Sequence, residues 1–80
     1  NYPNPFNPIT TFSFSLENAG YMKLNIINVS GEHVKELLSE YKPTGNFQIN
    51  WDANNMGSGI YFAVLETQNS LVAKKIILLK

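Results

Sequence analysis

Any nucleophilic chemistry in this chain would have to run through His33, because the sequence holds one histidine and no cysteine. A Cys–His pair is excluded, and a Ser–His–Asp site needs a serine presented on a sharp elbow beside that ring. His33 follows Gly31-Glu32, and no serine has an elbow context. It reads as an exposed residue at a strand end. Glycoside hydrolysis needs two acids facing each other across a cleft. Glu17, Glu32, Glu36, Glu40, Asp52 and Glu66 are scattered over turns and outer strand positions, and so small a domain has little material for a cleft.

Asp52-Ala53-Asn54-Asn55-Met56-Gly57 opens like a calcium loop, with oxygen donors first and third and glycine sixth. Met56 then stands fifth and Ala63 twelfth, where such a loop needs a ligand and a bidentate acid. Turn formation explains the segment better, and no metal or cofactor is expected. Asn28-Val29-Ser30 has the pattern of an N-glycosylation triplet, which matters only in a host that glycosylates exported proteins. Trp51, Phe47 and Tyr61 offer a sugar-stacking platform, but in alternating strands their default role is core burial.

The elements that would position these groups are short strands. Eighty residues with 44% hydrophobic and 15% charged content suit one globular domain, 1–80, with a thin core and no disulfide to support it. Absence of cysteine does not identify a compartment. Net charge is zero, from six lysines against six acids with no arginine. The pair Lys74-Lys75 is too short a basic patch for phosphate tracking, so no nucleic-acid partner is expected. No stretch approaches the length of a membrane helix. A start on Asn1-Tyr2-Pro3 has no signal-peptide character and suggests a piece of a longer chain.

Three prolines within the seven residues Tyr2-Pro3-Asn4-Pro5-Phe6-Asn7-Pro8 predict an extended lead-in over 1–9 that cannot enter the middle of a sheet. Over 10–80 the apolar residues alternate. Phe12, Phe14 and Leu16 form one set; Met22, Leu24 and Ile26 a second; Phe47, Ile49 and Trp51 a third. Ile60 to Thr67 has apolar residues on both faces, as in a strand in the middle of a sandwich, and Leu71 to Leu79 is the last strand, again mixed. Val34, Leu37, Leu38 and Tyr41 fall at helical spacing, so 33–41 fits a helix as well as a strand, with the neighbouring strands favouring the latter. Turns at 17–20, 29–32, 42–45 and 68–70 separate the segments. The reading is an all-β sandwich of about seven short, mainly antiparallel strands.

The order of motifs is more specific than any one of them. The heptapeptide containing Tyr2, Pro3, Pro5, Phe6 and Pro8 is followed by Thr10-Thr11, then Asn28 and Gly31, then Trp51-Asp52. Ser58-Gly59-Ile60-Tyr61-Phe62 and the tail Lys74-Lys75-Ile76-Ile77-Leu78-Leu79-Lys80 complete the set. Over essentially its whole length the chain resembles the C-terminal sorting domain family of the type IX secretion system. The resemblance implies an immunoglobulin-like sandwich, without catalysis, fused behind an N-terminal cargo domain. It further implies recognition by the outer-membrane export machinery, delivery through the periplasm to the cell surface or beyond, and removal by a sortase-like peptidase upstream of Asn1. The family often has Asp-Gly after its Trp, where this chain has Asp52-Ala53.

Within that resemblance, Tyr61 and Ala63 should point inward, as at an immunoglobulin tyrosine corner. The tail, Lys74 to Lys80, is the expected recognition element, gripped by edge pairing. Lysines at both of its ends would limit unwanted pairing. A hook-cap-like assembly module and a carbohydrate-binding module are the rival readings. Chain following the domain would favour the first, and glycan binding lost in Trp51→Ala the second.

Overall fold

The computed structural model describes residues 9–79, so the heptapeptide motif and Lys80 lie outside the described residues. Six strands form there: β1 (Ile9–Leu16), β2 (Gly20–Asn28), β3 (His33–Lys42), β4 (Gly45–Asp52), β5 (Gly59–Glu66) and β6 (Leu71–Leu78). This is one fewer than the expected seven or so. β1 starts at Ile9, inside the expected lead-in.

The strands make two antiparallel sheets, β1-β4 and β3-β2-β5-β6. That arrangement corresponds to strands B-E and C′-C-F-G of an immunoglobulin-like sandwich. Strands A and D have no counterpart among the described residues. The chain changes sheet after β1, after β3 and after β4, and stays within the large sheet through the hairpins β2–β3 and β5–β6.

Period-two alternation places the core as expected. Met22, Leu24 and Ile26 of β2 face Phe12 of β1 and Trp51 of β4, with Tyr61, Ala63, Ile76 and Leu78 beside them. Trp51, Met22 and Ile26 are the largest fully buried side chains. Trp51 and Tyr61 meet edge to face at 6.2 Å, joining the two sheets. Phe14 and Phe47, cross-strand partners on β1 and β4, lie 5.7 Å apart. No Asp, Glu, Lys or His is buried among the described residues, which suits a core too thin to satisfy a desolvated charge.

Residues 33–42 are a strand, and the register explains their helical spacing. Leu24 pairs with Leu38 but Asn25 with Glu36, and Ile26 pairs with Lys35 but Ile27 with His33. Leu37 and Val34 are therefore extra residues in two β-bulges. Each insertion shifts the alternation by one, so apolar residues recur at three-residue and one-residue steps.

The β2–β3 turn is built by Asn28. Its Oδ1 accepts from the backbone N–H of Ser30 and of Glu32, both at 3.0 Å, and its Nδ2 donates to Glu32 Oε1 at 2.9 Å. Gly31 donates its N–H to the Asn28 carbonyl and takes φ +84°, the left-handed position of a three-residue hairpin loop. Asn28 is thus a turn residue, with its amide nitrogen already engaged at the position a glycan would modify.

Candidate functional site

The tyrosine corner lies where β4 hands over to β5. Asp52 Oδ1 accepts from the Asn54 N–H at 3.0 Å, and Met56 donates its N–H to the Ala53 carbonyl. The calcium-like segment is therefore a pair of turns, with its carboxylate spent on its own backbone. Among the described residues no cluster of three or more His, Cys, Asp or Glu side chains is placed to hold a metal. Ala53 is fully buried and has no positive φ, so the site where the family often has glycine here contributes a methyl to the core. Tyr61 donates its hydroxyl to the Gly57 carbonyl at 2.9 Å, and Tyr61 and Ala63 both point inward as expected. Gly59 precedes them at φ +154°, a backbone shape that a side chain resists.

The aromatic platform does not form. Trp51 is 2% exposed and Tyr61 is buried, while Phe47 is half-buried beneath the Lys42 ammonium at 5.1 Å. What the small sheet presents outward is uncharged and polar over most of its length. Thr11 faces Asn50 and Ser15 faces Asn46, joined by hydrogen bonds of 2.8 and 2.6 Å. His33 stands exposed at the start of β3, away from any assembled triad. The acids Glu17, Glu32, Glu36, Glu40, Asp52 and Glu66 are all exposed, on turns and on three different strands.

The tail is the unusual element. Among the described residues β6 pairs with β5 on one side only and forms one edge of the four-stranded sheet. Ile76 and Leu78 are buried, while Leu71, Val72, Ile77 and Leu79 are 55–77% exposed. Val72 and Lys74 lie on the inner face with Ile76 and Leu78, yet the two-stranded sheet does not cover them. They border a cavity of about 120 Å³ whose other walls include Phe12, Phe14, Leu24 and Leu65. Lys74 and Lys75 are exposed at the centre of the strand, not at its ends as expected. Neither makes an ion pair among the described residues, where Lys42 and Glu40 form one at 2.9 Å.

Sequence reasoning singled out the tail and expected it to be gripped along an edge, but set its lysines at the strand ends. β6 is an edge strand among the described residues, with its lysine pair at the centre. A central strand of a sandwich has no room for adjacent charges on opposite faces, so the pair is the residue-level signal of an edge.

The fold and its tyrosine corner define the class: an immunoglobulin-like β-sandwich module with one apolar edge left open. Residues 1–79 match the family model described as the secretion system C-terminal sorting domain, and the chain belongs to that family. It is a sorting signal of the type IX secretion system, which carries its fused cargo through the periplasm to the cell surface or the extracellular space. A search of the curated proteins finds no match.

Proposed function

We propose that the domain acts without catalysis and that the open edge of β6 is the handle the export machinery grips. The observation that carries this reading is the position of β6: an apolar strand at the edge of the large sheet, with one row of backbone groups unpaired among the described residues. Its residues divide the work. Ile76 and Leu78 anchor the strand in the core, while Lys74, Lys75, Ile77 and Leu79 are open to a partner. Lys80 continues the same segment. Tyr61, Gly59, Gly31 and Trp51 hold the sandwich that presents it. A sortase-like peptidase then cuts upstream of the domain and releases or anchors the cargo.

The division changes which experiment is informative. Deleting Ile76 to Lys80 would remove two core side chains along with the handle. The cleaner variant is Ile77→Lys with Leu79→Lys, which leaves the buried set intact. In a cargo fusion, this double variant should accumulate in the periplasm with the native emission of Trp51. Normal secretion would refute the handle. For the peptidase, surface cargo should be lighter than periplasmic cargo by at least the 9.0 kDa of this chain. Equal masses would refute cleavage.

A further inference from the structure

We propose that the edge of β6 is built to refuse a second copy of itself and to accept a strand with acidic residues at its centre. The inference rests on the reading of β6 as a docking edge and adds the chemistry of its partner. An open apolar edge strand is a template for any extended chain, and its most abundant competitor is the same strand on another molecule. Two copies of β6 meeting edge to edge in antiparallel fashion must be related by a two-fold axis perpendicular to the sheet and between the strands, which sets each residue opposite one of the same face. The registers with the most overlap place that axis level with Lys74 or with Lys75. Each sets lysine directly opposite lysine, at the short cross-strand distance where like charges destabilise the pair.

The same two side chains select the partner. Lys75 stands on the outer face opposite Phe62, and Lys74 on the inner face opposite Ala63. Neither has an acidic neighbour across the β5–β6 ladder at those positions. A strand carrying two successive acids would place one carboxylate beside each ammonium, on both faces at once. Leu71 and Ile77 on the outer face, and Val72 on the inner, would meet apolar flanks of that strand. The fitting partner is therefore an extended segment with an acidic pair at its centre and alternating apolar residues on either side.

A charge-reversed copy of the chain tests the charge part of this fit, since either register sets one Lys–Glu pair directly opposite and the other on the diagonal. Lys74→Glu with Lys75→Glu should be monomeric alone, as should the wild-type chain, when each is measured by sedimentation. An equimolar mixture should form a heterodimer at least roughly tenfold tighter than either self-association, since one directly opposite and one diagonal pair change from like to opposite charge, and added salt should weaken it. The neutral variant Lys74→Thr with Lys75→Thr should self-associate, since it removes the repulsion and keeps a strand-forming residue. Trp51 emission confirms folding in each sample. A mixture that stays monomeric, a neutral variant that stays monomeric, or a wild-type chain that dimerises as readily as the neutral variant would overturn the proposal. If the heterodimer forms but the charge-reversed cargo fusion is still exported normally, the edge specificity stands and the export handle lies elsewhere.

Discussion

Tyr61 shows how far a single residue carries the fold. Its ring packs on Trp51 between the two sheets, and its hydroxyl ties β5 to the carbonyl of Gly57. Tyr61→Phe keeps the first contact and removes the second. The expected loss is about 1 kcal/mol, for one hydrogen bond whose acceptor is left without its donor. A lower urea midpoint with an unchanged slope, followed by Trp51 emission, would report it. An unchanged midpoint would mean that water replaces the donor without cost. At this scale the sequence was legible where the chemistry is local. The inward pair Tyr61 and Ala63 followed from resemblance and spacing, and the failed calcium loop followed from Met56 and Ala63 at ligand positions. Asn28 was not legible as the organiser of a turn, because its three hydrogen bonds depend on Gly31 reaching a positive φ immediately after the triplet.

Among the elements, β1, β2 and β4 could be read directly, because one face of each is buried and period two is then unambiguous. β3 could not. Its two bulges, at Val34 and Leu37, break the alternation that identifies a strand and imitate helical spacing instead. They also twist and interrupt an edge that would otherwise be flat. Deleting Leu37 would bring Glu36 and Leu38 into regular alternation opposite Asn25 and Leu24. The deletion should leave a folded domain, with a loss of about 1 to 3 kcal/mol for the half-buried leucine. It should also raise concentration-dependent self-association in sedimentation, because a regular edge is a better template. A deletion variant as monomeric as the wild type would show that the bulges do not protect this edge.

The whole molecule depends on a division of two strands against four, and no periodicity encodes it. Strand order arises from contacts distant in sequence: β1 with β4, and β2 with β5. That is why the sequence showed short alternating strands but not which of them stands at an edge. The same division leaves the core thin, so individual buried side chains weigh heavily on stability. Ile76→Ala should cost about 2 to 5 kcal/mol, a large share of what an uncrosslinked domain of this size commands. The measurement is thermal or urea unfolding of the variant beside Ile77→Ala, whose exposed side chain should cost far less. Equal costs would mean that β6 is not seated in the core as described.

The alternation of β6 has a consequence for anyone who would transplant it. Half of its side chains are answerable to the interior and half to whatever lies outside, and the two sets are interleaved residue by residue. The last strand cut out as a linear tag would carry the proposed handle but lose the surface that keeps it extended and facing one way. The portable unit is the whole sandwich. A synthetic passenger label should therefore keep Ile76 and Leu78 fixed and vary only the residues between and before them, so that new specificities are written at every second letter.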